Sequence, residues 1–201
     1  LIVFEGGDAS GKSTQAARLA RRLGAVLTRE PGGTTLGEEV RALLLEPTPE
    51  PIDARAELLL MVAARAQHVA LRIRPALEEG RTVVCDRFNG STIAYQGYGR
   101  GLPLHDVRLA CTLGAGGLEP DVVVLLDVDE EVAAQRRRGD PDRIEAQDLE
   151  FHSRVRAGFL ALAAADPRRW VVVDGSPAPD QVEEVVVEAV EHHLGTTGQP
   201  S

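Results

Sequence analysis

Five short runs of aliphatic and β-branched residues punctuate the chain: Leu1–Glu5, Ala25–Thr28, Thr82–Asp86, Val122–Asp127 and Trp170–Asp174. None alternates apolar with polar positions, which is the pattern of strands buried on both faces of a parallel sheet. Longer stretches with helical spacing separate them. Gly11–Leu23 is rich in Ala, Arg and Leu, and Leu36–Leu45 is helix-like. Asp53–Glu79 is long, with Asp53 as a candidate N-cap and Gly80 as its stop. Leu104–Leu113, Glu130–Arg138, Leu149–Ala165 and Asp180–Leu194 complete the set, and Gly195–Ser201 reads as a frayed terminus. This alternation predicts an α/β fold with a doubly wound parallel five-stranded sheet, right-handed crossovers and helices on both faces. No repeat or long linker divides the 201 residues, so residues 1–201 read as one domain. Only Gly24 separates Leu23 from Ala25, which is short for a crossover and suggests a trimmed or incomplete connection.

In such sheets, ligands sit beyond the carboxyl ends of the strands. That directs attention to residues 6–14, 29–34, 87–96 and 136–143. Charge narrows the candidates for a ligand. With 22 Lys and Arg against 31 Asp and Glu, the net charge is −9. No broad basic face for nucleic acid is expected, although a few converging arginines could still hold a small anion. Cys85 and Cys111 are too few for a disulfide framework or a four-cysteine zinc site, and they suit a reducing cytoplasm. No apolar run approaches the roughly 20 residues that span a bilayer, so no membrane partner is expected. The chain opens without Met or a basic-then-apolar leader, and a short preceding stretch is expected to be missing.

Gly6-Gly7-Asp8-Ala9-Ser10-Gly11-Lys12-Ser13, followed by Thr14, fits G-x-x-x-x-G-K-S/T between a strand and a helix. The glycines let backbone N–H groups turn toward phosphate oxygens, and the helix adds its positive end. Lys12 can reach the β- and γ-phosphates, and the Ser13 hydroxyl can ligate the Mg²⁺ that bridges them. These residues are the candidate ATP site. The loop leaves the acceptor open. There is no Asn-Lys-x-Asp guanine reader, so a GTPase is disfavoured. Val122–Asp127 ends in a carboxylate, as an ATPase second motif would, so a nucleotide-driven switch remains an alternative to a phosphotransferase.

Thr28-Arg29-Glu30-Pro31-Gly32-Gly33-Thr34 follows the second strand run and Asp86-Arg87-Phe88 the third, with Ser91-Thr92-Ile93-Ala94-Tyr95-Gln96-Gly97 soon after. With the phosphate loop, they resemble the thymidylate kinase family over Leu1 to about Ala165. The resemblance implies transfer of the ATP γ-phosphoryl group to dTMP, with Mg²⁺ as cofactor and a homodimer through packed helices. It implies that Arg87 forks to both phosphates and balances the charge that shifts between them. It places Asp8 near the deoxyribose 3′-hydroxyl and the metal, and Arg29 and Arg41 near the acceptor phosphate. Glu30 and Pro31 would shape that loop. On the long helix, Arg65 would donate to thymine O4, while Met61, one turn earlier, stands where the family usually has a stacking phenylalanine. Stacking and a core role are both open for Met61. The runner-up, a sister kinase for another small acceptor, rests on that departure. Ser91, Thr92 and Gln96 would lie near the base and sugar, and Tyr95 would close off C2′. For Ser91, helix capping is the simple alternative.

Residues 136–143 form a basic turn broken by Gly139 and Pro141, where the family has a mobile lid, here about 136–147. Ala9 and Ser10 put no arginine in the phosphate loop, so the resemblance implies bacterial-type lid arginines, best matched by Arg138 and Arg143. No general base is expected, because the acceptor is a phosphate oxygen already anionic at neutral pH. His68, His105, His152, His192 and His193 therefore read as structural or exposed, and Cys85 as a small core residue.

Overall fold

The computed structural model describes residues 1–136 and 140–197. Five strands, β1 (Ile2–Glu5), β2 (Val26–Arg29), β3 (Val83–Asp86), β4 (Val122–Asp127) and β5 (Trp170–Asp174), pair in the order β2-β3-β1-β4-β5, all parallel. Alternate β1 residues serve opposite faces, as a period of two requires. Ile2 and Phe4 pack with Leu19, Val186 and Val190 on one side. Leu1 and Val3 pack with Val69, Ile73 and Phe88 on the other. Burial along nearly the whole strand holds for the three inner strands only. The edge strands β2 and β5 are half exposed, because each has a neighbour on one side alone.

The helices are α1 (Lys12–Leu23), α2 (Thr35–Leu45), α3 (Ala54–His68), α4 (Arg74–Glu78), α5 (Asn89–Thr92), α6 (Leu104–Ala115), α7 (Glu130–Arg136), α8 (Leu149–Ala165) and α9 (Pro179–Thr197). Side-chain caps open three of them. Thr34 accepts from Gly37 N, Asp53 from Arg55 N, and Asp148 from Phe151 N. The expected single helix over Asp53–Glu79 is interrupted by a π-helical stretch, Val69–Ile73. Pro75 follows it, and a proline ring cannot accept a regular turn from the carbonyl four residues back. A second π-helical stretch, Ile93–Gly99, continues α5 and carries Tyr95 and Gln96.

Nothing needs to be added at Gly24. Its φ of 61° closes α1, and Ala25 N bonds to Ala20 O, so the chain enters β2 directly. Likewise α9 runs through Gly195 to Thr197, past the expected fray point. The fold brings the ends of β1, β2 and β3 to one rim, beside residues 142–145.

Candidate active site

The phosphate loop leaves β1 through Gly6, whose φ is 143°, and a Cβ there would stand 2.4 Å from Leu126 O. Only glycine fits that approach. Ala9 is held at φ 59°, a costly conformation for a residue with a Cβ. Lys12 is buried beneath the loop and donates to Gly7 O at 2.6 Å and to Ser10 Oγ at 3.3 Å. Burial, then the Arg87 charge, presses its pKa down to about 8. No acidic residue lies in the first turn of α1, so the helix end adds its positive potential beside Lys12, whose charged form Asp8, Asp86 and Glu5 favour.

Ser13 Oγ donates to Asp86 Oδ2 at 2.5 Å, while Asp86 Oδ1 is buried without a partner among the described residues. A hydroxyl and a carboxylate with a spare oxygen form a hard-oxygen donor set that fits Mg²⁺. The expected metal pair was Ser13 and Asp8, and in this structure Asp86 rather than Asp8 faces Ser13. Both Asp8 oxygens are engaged, Oδ1 by Arg87 Nη2 at 2.6 Å and Oδ2 by Tyr95 OH at 2.8 Å. Burial alone would raise the Asp8 pKa, but Arg87 and Lys12 hold it below the usual carboxylate value. Asp127, the candidate for an ATPase second motif, is clasped by Arg156 through two bonds of 2.7 and 2.8 Å.

Arg87 follows β3 at φ 72°, a left-handed turn that folds its side chain back over the phosphate loop. Nη1 donates to Gly6 O at 3.0 Å and to Ser91 Oγ at 2.9 Å, while Nη2 reaches Tyr95 OH at 3.4 Å. Among the described residues its Nε has no partner. Its ion-pair partner is Asp8. Beneath it lies the buried Glu5, which accepts from Phe88 N and Ser91 N at 3.0 Å and from Ser91 Oγ at 2.5 Å. Burial drives the Glu5 pKa up to about 7 against those bonds. Ser91 is therefore not the cap of α5. The Glu5 carboxylate takes that role.

A cleft of about 910 Å³ opens beside Asp8, Lys12 and Ser13, and every substrate-binding candidate lines it. At one end are Arg29, Arg41 and Arg87. Arg29 pairs with Glu38 at 3.0 Å and Arg41 donates to Pro31 O at 3.2 Å. Burial, then the Arg29 and Arg87 charges, lowers the Arg41 pKa, as expected where cations crowd. The cleft is also lined by half-buried Met61 and by the buried Arg65, Thr92 and Gln96. Arg65 is only 2% exposed; its Nε donates to Glu30 Oε2 at 2.7 Å and its Nη2 to Phe88 O and Thr92 Oγ1, both at 3.0 Å. Nη1 makes only a long contact to Cys111 Sγ at 3.9 Å. The structure thus uses Arg65 first as an ion-paired strut. Gln96 Nε2 donates to Glu57 Oε1 at 2.8 Å, and its Oε1 is buried without a partner among the described residues.

The expected lid arginines fare differently. Arg138 lies outside the described residues. Arg143 is turned away from the phosphate loop: Nε donates to Leu44 O at 2.7 Å and Nη2 to Glu57 Oε2 at 2.5 Å. Asp142, Ile144 and Glu145 line the cleft in its place. The sequence reading therefore missed Glu5, Glu57 and Asp86 as site residues. Glu57, Met61 and Arg65 are spaced by four on α3, a signal that they share a face. Glu5 is the one charged residue of the β1 run. Glu30, His68 and Cys85 come within 4.8 Å of one another. The cluster is built around the Arg65 cation: Glu30 binds Arg65 and His68, and His68 binds Thr28.

Comparison with known proteins identifies similar chains. A family model described as Thymidylate kinase matches residues 4–186. The thymidylate kinase of Deinococcus radiodurans is 50% identical over 196 residues, covering 94% of this chain and 95% of that protein. That of Solidesulfovibrio magneticus is 48% identical over 199 residues, covering 92% and 95%. The crystal structure of thymidylate kinase from Ehrlichia chaffeensis superposes with a TM-score of 0.79 at 36% identity, covering 94% of this chain and 97% of that one.

Proposed function

The chain belongs to the thymidylate kinase family and phosphorylates dTMP to dTDP with ATP, and we propose that it does so by positioning and fixed charge alone. The observation that carries this mechanism is the convergence of Arg29, Arg41 and Arg87 on the cleft that opens at Lys12 and Ser13. Lys12, the residue 6–14 loop and the α1 N-terminus hold the ATP phosphates. Arg29 and Arg41 hold the acceptor phosphate, and Arg87 stands between the two and stabilises charge as it shifts. The acceptor oxygen is already anionic, so no side chain has to remove a proton. Mg²⁺ would be held by Ser13 and Asp86, and charge neutralisation at the β- and γ-oxygens is what it supplies when bound.

At the far end, the unpartnered Gln96 Oε1 suits the N3–H of thymine, and Arg65 suits O4. Met61 borders the ring face. Asp8 and Tyr95, bonded to each other, border the sugar. We read residues 1–201 as one kinase domain with its lid at about 136–147. The unpaired, buried Cys85 and Cys111 support a cytoplasmic site of action. No described helix is long and apolar enough to cross a membrane. Leu59, Ala63, Ala66 and Ala70 form an exposed apolar stripe beside Leu109 and Leu113 of α6, which supports a homodimer through these helices. The test is incubation with MgATP and each of dTMP, dCMP and dAMP. Formation of dTDP at much the highest kcat/KM is expected, and preferential phosphorylation of another monophosphate would overturn the reading.

A further inference from the structure

A side-chain amide can face a ligand with either end, and for a pyrimidine the two choices select opposite bases. An oxygen facing the ring accepts from the N3–H of thymine, whereas an NH₂ group donates to the unprotonated N3 of cytosine. What decides the orientation of Gln96 lies behind it. Glu57 is a carboxylate only 1% exposed, on the α3 face that also carries Met61 and Arg65. Its Oε1 accepts from Gln96 Nε2 at 2.8 Å and from Arg100 Nε at 3.2 Å. Its Oε2 accepts from Arg100 Nη2 at 3.2 Å and from Arg143 Nη2 at 2.5 Å. Arg143 is held in turn by Leu44 O, and Arg100 by Gln147 Oε1 at 2.7 Å. Arg100 and Gln96, together with Arg143, hold the Glu57 pKa below the ordinary carboxylate value although burial works the other way.

An ionised carboxylate only accepts hydrogen bonds, so Gln96 must turn its NH₂ toward Glu57 and its oxygen away. We propose that Glu57 is a specificity-determining positioning residue, whose arginine-clamped carboxylate keeps the Gln96 oxygen turned to the base and so selects pyrimidines that carry a proton on N3. The inference rests on the dTMP reading above and deepens it. It also ties base selection to residues 142–147, because Arg143 bonds the Glu57 carboxylate directly and Gln147 accepts from Arg100, which bonds it too.

Glu57→Gln separates position from charge. Two arginine donors face Oε2, one of them at 2.5 Å, against the single Arg100 Nε at 3.2 Å on the Oε1 side, so the new amide presents its oxygen to the former and its NH₂ to Gln96. Gln96 then flips and offers NH₂ to the base. The experiment measures kcat/KM for dTMP and dCMP in the wild-type enzyme and in Glu57→Gln. The wild-type enzyme should favour dTMP strongly. In the variant the dTMP-to-dCMP ratio should fall by at least roughly tenfold, with dCMP gaining in absolute terms and the KM for ATP changed by less than about twofold. A variant that slows both substrates equally, with the ratio kept, would overturn the inference and leave the dTMP reading standing. A wild-type enzyme indifferent to the base would overturn both. If Glu57→Gln does not fold, ¹⁵N NMR of the wild-type protein decides: the Gln96 side-chain NH₂ should be exchange-protected, with one proton shifted downfield by its charged acceptor. A rapidly exchanging, unshifted pair would overturn the inference.

Discussion

Replacing Arg87 with alanine separates what the guanidinium does for the fold from what it does for the reaction. In the free enzyme it makes four contacts, to Asp8, Gly6, Ser91 and Tyr95, and its loss leaves Asp8 without its cation. The two side chains are 18% and 15% exposed, so this is a mostly buried pair. Breaking such a pair costs about 3–5 kcal/mol, and residual solvent access favours the lower end. For a chain of this size, about 3 kcal/mol corresponds to a Tm lower by roughly 6–12 °C. The φ of 72° adds no difference, because alanine is strained there as arginine is. The rate should suffer independently. Removing one positioned donor from a developing charge costs about 2.7–4 kcal/mol, or about 10²–10³ in kcat. ATP keeps Lys12, the phosphate loop and Ser13, so its KM should change by less than about threefold. Arg87→Lys should recover part of the stability but little of the rate, since a point charge cannot fork to two phosphates. Thermal unfolding and steady-state assays with both substrates saturating, run well below the lower Tm, measure the two effects. A kcat for Arg87→Ala within about threefold of wild type would refute the assigned role.

Three further outcomes follow from other parts of the site. Asp86→Asn removes the carboxylate that faces Ser13, so the Mg²⁺ concentration for half-maximal rate should rise at least about tenfold, and an unchanged Mg²⁺ titration would contradict the assignment. The Lys12 pKa is depressed to about 8, so in the free enzyme its charge is lost as pH rises through that value. ATP phosphates restore the charged form; hence binding near about pH 9 should take up close to one proton and weaken with increasing pH. Calorimetry in buffers of different ionisation enthalpy measures that uptake, and identical heats in all of them would refute it. Leu113, 79% exposed on α6, should be buried in the proposed homodimer. Leu113→Glu should elute as a monomer at concentrations where the parent is dimeric, and unchanged elution would place the interface elsewhere.

The sheet was legible because its inner strands are uninterrupted apolar runs, and the phosphate loop because its glycines have a steric reason at fixed spacing. The edge strands read the same way, since apolar composition does not tell an edge from a centre. The π-helical stretches were not legible, because they arise from Pro75 and from packing that brings Gly99 and Gly158 against α8 and Tyr98. The individual roles divide along a similar line. Arg87, Lys12 and Ser13 follow from motifs. Asp86 and Glu5 stand inside strand runs, where a terminal carboxylate is easily read as a simple strand end. Their roles depend on which neighbour the sheet order brings: β3 beside β1 sets Asp86 against Ser13, and Glu5 under Ser91. Arg143 has a partner that the sequence does not disclose. Its place in a basic turn suggested phosphate binding, but Glu57, 86 residues away, supplies a buried carboxylate that spacing alone could not reveal.

The most direct test is a crystal structure with dTMP and a non-hydrolysable ATP analogue bound together. The account predicts an acceptor oxygen about 3–3.5 Å from the γ-phosphorus, in line with the leaving oxygen, and Arg87 bonded to both phosphates with no side-chain base at the acceptor oxygen. Phosphates lying apart, with Arg87 still confined to Asp8, Gly6 and Ser91, would contradict it.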